Sequence, residues 1–164
     1  MGKILIHIIA IISISIGALC SCATDGCSEN QSSIPLAGFY SSETGESIAL
    51  SELEVYGLGA TGDSLLTQAS ETNKQVYLPF RSSSNNVAFC FHYAEYGDNT
   101  LYTDTIWFDY ESMPYFASEE CGAMYRYKIT STRHTDLLID SVVVVEPEIT
   151  NIDVERIKIY FTTN

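Results

Sequence analysis

The chain reads as an all-β protein, an antiparallel β-sandwich of immunoglobulin-like or transthyretin-like kind that follows an N-terminal signal helix. Three observations predict this. From Leu36 onward apolar residues recur with a period of two rather than 3.6, as in strands with one face buried. Turn residues break the pattern at short intervals. No stretch of this region is both long and amphipathic enough for a helix, and short strands at such spacing make a sandwich.

The first element is not part of that body. Residues 1–21 carry a cation at Lys3, an apolar run from Ile4 to Leu19 and no acid, the three-part layout of a secretory signal. The run has 16 residues, below the roughly 20 that a helix needs to cross a bilayer core. It ends in Leu19-Cys20-Ser21-Cys22, which resembles the lipobox of bacterial lipoproteins. In such signals the last Cys is acylated on sulfur and becomes the first residue of the mature chain. Cys22 fits that role better than Cys20, because Ser21 is small where Leu19 is bulky. Two or more acyl chains give stable membrane anchoring, each buried methylene contributing about 0.8 kcal/mol. An ordinary signal peptide with Cys22 as a plain thiol is the competing reading.

Residues 22–35 are small and polar, interrupted by Gly26 and Pro35, and read as a lipidated tether. Ala23 stands where an Asp would retain a lipoprotein in the inner membrane, which favours the outer membrane. Asp25 and Glu29 are too dispersed to make a surface-export cluster, which favours its periplasmic face. The sandwich domain is expected over residues 36–164.

Within it, strand-like runs follow at Leu36–Ser41, Ile48–Gly57, Ser64–Ala69 and Lys74–Phe80. Alternation then sets Val87, Phe89, Phe91 and Tyr93 against Ala88, Cys90, His92 and Ala94. A strand is expected at Leu101–Tyr110. Next, Ala123, Tyr125, Tyr127 and Ile129 are set against Met124, Arg126, Lys128 and Thr130. The run at Leu137–Val145 contains four consecutive valines, Val142 to Val145, as expected of a strand covered on both faces. Glu146-Pro147-Glu148 limits it as gatekeepers against aggregation. A last strand alternates Ile157, Ile159 and Phe161 with Arg156, Lys158 and Tyr160. The turns fall at Glu43-Thr44-Gly45, Gly59–Asp63, Ser82–Asn86, Gly97-Asp98-Asn99 and Thr132–Asp136.

Charge excludes one class of partner. Eight Lys and Arg stand against 21 Asp and Glu, a net charge of −13, so no basic stripe can follow a phosphate backbone and nucleic acid is not expected. All 21 acids lie at Asp25 or beyond, so loss of the leader leaves a more acidic body that anionic headgroups repel.

Export places the cysteines in an oxidising compartment. With Cys20 in the signal and Cys22 acylated, Cys27, Cys90 and Cys121 remain. Cys90 lies mid-strand between Phe89 and Phe91 and reads as a buried apolar residue. Cys27 and Cys121 lie in irregular segments, so a Cys27–Cys121 bridge is expected, worth roughly 4 to 5 kcal/mol in the chain-entropy picture. Pairing of Cys90 with either stays open.

No catalytic motif is found, and no catalytic residue, metal or cofactor is assigned. Cys90 and His92, two residues apart on one strand face, would supply two metal ligands or a nucleophile and its base; a core Cys beside an ordinary strand His is the simpler reading. His134 reads as an exposed turn residue. Asp98, Asp104 and Asp109 do not match a calcium loop and read as solvated strand ends. The stronger pattern is aromatic. Tyr93, Tyr96, Tyr102, Trp107, Tyr110, Tyr115 and Phe116 fall close together among carboxylates, a surface suited to sugars or to protein partners. Tyr96, Tyr102, Trp107, Tyr110 and Tyr115 are the candidate contacts, against the simpler view that strands favour aromatics.

The lipobox, Cys27, Gly38-Phe39-Tyr40, Leu53–Gly59, Asp104-Thr105-Ile106-Trp107, Cys121-Gly122, Ile139-Asp140-Ser141 and Ile157–Phe161 together resemble an uncharacterised lipoprotein family of Bacteroidetes, over nearly the whole mature chain. The resemblance implies an exported, lipidated, β-rich protein of unknown function with an accessory role at the outer membrane. It carries over no catalytic residue. The leading expectation is therefore a lipid-anchored envelope protein whose sandwich is a binding or assembly module for another envelope protein; the alternative is a glycan-binding module around Trp107.

Overall fold

The computed structural model describes residues 33–59, 65–96 and 102–163. The signal, the tether up to Ser32, the Cys27 side of the expected bridge, and the turns at Gly97-Asp98-Asn99 and beyond Gly59 lie outside the described residues. Within them are ten strands: β1 (Leu36–Ser41), β2 (Leu53–Gly57), β3 (Leu65–Thr67), β4 (Gln75–Tyr77), β5 (Asn86–Tyr93), β6 (Thr103–Ser118), β7 (Gly122–His134), β8 (Ile139–Val144), β9 (Glu148–Ile149) and β10 (Glu155–Phe161). They form a sheet of order β4-β1-β10-β8 and a larger one of order β3-β2-β5-β6-β7-β9. All pairings are antiparallel except β1 with β10, where the first and last strands run parallel.

The two sheets bury the alternating residues against one another. Ala37, Phe39, Val76, Ile139, Ile157, Ile159 and Phe161 come from the smaller sheet; Leu53, Val55, Phe89, Phe91, Ile106 and Phe108 come from the larger. Such facing layers supply the hydrophobic contribution that offsets chain ordering. One end of the core is aromatic. Phe80 stacks on Tyr110 with ring centroids 4.4 Å apart, and Tyr127 meets Tyr110 edge-on at 5.5 Å.

All nine expected strands form, with shifted ends, and β9 is additional. The strand expected to end at Tyr110 continues to Ser118 through Pro114. Pro114 costs nothing there, because from Tyr110 onward β6 pairs only with β7 and its other side needs no amide donor. The turn placed at Thr132–Asp136 moves outward, since β7 runs to His134. His134 thereby becomes a half-buried strand end whose Nδ1 lies 2.7 Å from the Thr135 carbonyl oxygen.

Two expectations about burial are overturned. The valine run is not covered on both faces: Val143 and Val145 are 45% and 55% exposed. The reason is position, since β8 is the edge strand of the smaller sheet and bonds only to β10. Nor is Asp104 a solvated strand end, for it is fully buried.

Candidate functional site

Strand β6 sets out the candidate residues by parity. Asp104, Ile106, Phe108 and Tyr110 point into the sandwich, whereas Thr103, Thr105, Trp107 and Asp109 are half-buried on the outer face. Tyr110 is accordingly no surface contact: it is 2% exposed, its ring is in the aromatic end of the core, and its hydroxyl turns to the backbone. That hydroxyl donates to the Arg81 carbonyl at 2.9 Å and accepts from the Arg81 amide at 3.0 Å, which fixes the loop leading into β5.

The remaining aromatics do not share one patch. Tyr102 precedes β6 and Tyr115 lies near its far end, roughly 40 Å away at strand rise. Tyr102 is 37% exposed. Tyr115 lies under the Arg126 guanidinium at 4.2 Å and donates to Met124 Sδ at 3.7 Å. The Tyr96 side chain lies outside the described residues. Trp107 is the one brought into a concave setting.

That setting is a groove of about 530 Å³ on the outer face of the larger sheet. Leu58, Ala88 and Trp107 form its apolar side, and Arg81, Ser84, Asn86, Asp109 and Arg133 its polar side. Register explains the assembly: Ala88 faces Trp107 across β5–β6, and Trp107 faces Arg133 across β6–β7. The Arg133 guanidinium lies 5.1 Å from the indole centroid. Asp109 accepts from Ser131 Oγ at 2.7 Å, which orients its carboxylate. Arg81 Nη1 donates to the Gly59 carbonyl at 3.3 Å, at a turn where Gly59 has φ +69°. An open trough lined by Ser82, Ser83, Asn85, Glu111 and Thr130 adjoins the groove through Ser84, Asn86 and Asp109.

Asp104 does a different job. Its carboxylate accepts from the hydroxyls of Tyr93 (2.7 Å) and Thr135 (2.6 Å) and from the amides of Leu137, Leu138 and Ile139 (2.9, 2.8 and 3.0 Å). Burial pushes its pKa up, but the Thr135 hydroxyl and the other donors outweigh burial and hold it below the ordinary value. The same partnership, on top of burial, drives the Tyr93 hydroxyl far above its usual range. Asp104 thus ties β6 to the start of β8, in the other sheet.

Cys90 and His92 share the outer face of β5, but Cys90 is only 5% exposed and free. Burial pushes its thiol up, against weaker opposing hydrogen bonds from Tyr56, Thr103 and Thr105, so it is not poised as a thiolate nucleophile. Among the described residues no three His, Cys, Asp or Glu side chains come together to hold a metal ion. Cys121 is disulfide-bonded.

Arg81, Ser84, Asn86 and Arg133 escaped the reading of the sequence, which weighed aromatics and acids. One signal for Arg133 was available: counting outward from a hairpin turn centred on Glu120 pairs residue 107 with residue 133. A second aromatic surface was also missed. On the smaller sheet Tyr40 donates to both Glu155 carboxylate oxygens (2.8 and 3.0 Å), adjoins Tyr160 at 5.5 Å, and lies under Lys158 at 4.7 Å. Glu155 lies across Gly38, where a Cβ would collide with its Oε2. Those groups satisfy one another; in the Trp107 groove Ser84 Oγ donates to the Asn86 carbonyl at 2.8 Å and Asn86 Nδ2 to Asn85 Oδ1 at 3.1 Å, while the Arg133 guanidinium has no hydrogen-bond acceptor among the described residues.

No curated protein and no solved structure matches the chain. A family model does match, over residues 52–161, which takes in β2 to β10 and the whole groove. The chain belongs to that family, a family of unknown function designated DUF6452.

Proposed function

We propose that the chain is an exported, lipid-anchored binding module of the cell envelope and that the Trp107 groove is its glycan-binding site. The observation that carries the ligand is the outward-facing Trp107 beside Ser84, Asn86 and Asp109. A pyranose presents an apolar ring face and a rim of hydroxyls, so a planar side chain flanked by hydroxyl, amide and carboxylate groups is the chemistry it needs. The address rests on Lys3, the apolar run and Cys22, with acyl chains as the link to the membrane. Ala23 favours the outer membrane, and the dispersed Asp25 and Glu29 favour its periplasmic face.

A glycan array probed with the full chain tests the ligand: discrete hits that disappear in Trp107→Ala are expected, and a blank array or hits indifferent to that change would overturn it. For the anchor, palmitate labelling is expected in the native chain and absent in Cys22→Ala; labelling that persists would refute the site.

Docking to another envelope protein is a second reading, favoured by Phe116. It is 70% exposed on the β6–β7 ribbon, where Tyr125 is 41% exposed as well. Aromatic rings are enriched where proteins meet. A partner recovered in stoichiometric amount from solubilised membranes, and lost with Phe116→Ser, is the expected outcome under this reading; no such partner would count against it.

A further inference from the structure

We propose that the sugar taken by the Trp107 groove is an acidic one, whose carboxylate is held by Arg81 and Arg133. This rests on the reading of the groove as a glycan site and adds the charge of the ligand. The chain has only eight Lys and Arg against 21 Asp and Glu, yet two of the eight line one groove. Neither guanidinium forms an ion pair among the described residues: that of Arg81 makes one hydrogen bond there, to the Gly59 carbonyl, and that of Arg133 lies over the indole. In so acidic a body, arginines without a carboxylate partner among the described residues are open to an anion from outside. The acid in the groove, Asp109, is already oriented toward Ser131.

Both arginines are prepared for the task. Tyr110 clamps the backbone of Arg81 through its amide and carbonyl, so the side chain departs from a fixed point. Arg133 is set opposite Trp107 by strand register and rests against the ring, which limits the rotamer freedom it would lose on binding. A guanidinium presents a planar fork of N–H donors that matches the two oxygens of a carboxylate. A hexuronic acid supplies such a carboxylate at the edge of a ring whose face can meet the half-buried, outward-facing indole. A neutral hexose offers the arginines only hydroxyls.

The protein carries its own probe, since Trp107 is its only tryptophan and its fluorescence reports on the groove. The purified full chain is titrated with short oligogalacturonates and oligoglucuronates and with their methyl esters, which keep the rings and remove the charge. Expected are a saturable change in Trp107 fluorescence with the acids, binding at least tenfold weaker for the esters, and a loss of affinity as salt is raised. Arg81→Gln and Arg133→Gln should each weaken the acids tenfold or more and leave the esters unchanged; Arg133→Lys, which keeps charge but not the fork, should fall between. Unchanged urea midpoints in these variants exclude unfolding as the cause. Esters that bind as tightly as acids would overturn the charge assignment and leave the glycan reading standing. Failure of both, with a blank array, would remove the reading and the inference together.

Discussion

Along β6, residues 106–109 are paired on both sides, with β5 and with β7, and residues 103–105 with β5, whereas residues 111–118 have β7 alone. The burial pattern changes at the same place: strict alternation as far as Tyr110, then a mixture of half-buried and exposed positions. A strand with two neighbours and an opposing sheet has one dry face and one face of its own to offer. A two-stranded ribbon has neither. The first half therefore builds both the interior anchor at Asp104 and the groove at Trp107 from adjacent parities of one strand. The second half projects aromatic rings without a cavity to hold a ligand.

The largest effect should come from removing the anchor. Asp104→Ala leaves two hydroxyls and three amides without their acceptor in the interior, and the expected loss is about 3 to 5 kcal/mol, read from the urea midpoint. A loss below about 1 kcal/mol would show that water replaces the carboxylate and that the embedded half is not anchored there. The pH dependence follows from the direction of the shift. A carboxyl whose folded pKa lies below its unfolded value stabilises fully above the unfolded value and loses that contribution as pH falls through the folded one. The stability gap between the native chain and Asp104→Asn should therefore be constant above about pH 5 and shrink below about pH 4. A gap that widens in acid would contradict the lowered pKa.

The same division governs what could be read from the sequence. Val87-Phe89-Phe91-Tyr93 and Ile157-Ile159-Phe161 were legible because their period follows directly from one buried face. The ribbon was not. Alternation groups Ala123 and Tyr125 with Tyr127 and Ile129, but the first two are exposed and Met124 is buried, since no β5-like neighbour or opposing sheet enforces one phase. The valine run misled for a related reason: composition reports how apolar a strand is, not whether it lies at an edge. Of the site, Trp107 was legible as an aromatic among acids. Its partners were not, because Arg81, Asn86 and Arg133 are distant in sequence and meet only through the pairing of three strands and a loop. Asp104 misled because four of its five donors come from residues 135–139, whose approach depends on the crossing from β7 to β8.

A smaller effect is expected where the halves join. Tyr110→Phe keeps the ring against Phe80 and Tyr127 but removes a hydroxyl that both donates to and accepts from Arg81. The expected cost is about 1 to 2 kcal/mol. Its diagnostic readout is binding: if Tyr110 positions Arg81, affinity for an acidic sugar should fall while affinity for the corresponding ester does not. Equal losses for both would make Tyr110 a packing residue only.

The smallest effect should be at the ribbon. Phe108 and Phe116 lie on the same strand, yet Phe108 is fully buried and Phe116 is 70% exposed. Truncating the first should cost about 3 to 5 kcal/mol, because it opens a cavity between the sheets. Phe116→Ser should change stability by no more than about 0.5 kcal/mol, since the ring already faces water. Thermal unfolding of the two variants side by side measures the contrast. If Phe116→Ser costs as much as 2 kcal/mol, the ring is packed in solution and the ribbon is part of the folded body rather than a projection. If it is neutral for stability and removes a membrane partner, the exposed ring is maintained for contact, since an aromatic that contributes nothing to folding is otherwise only an aggregation hazard.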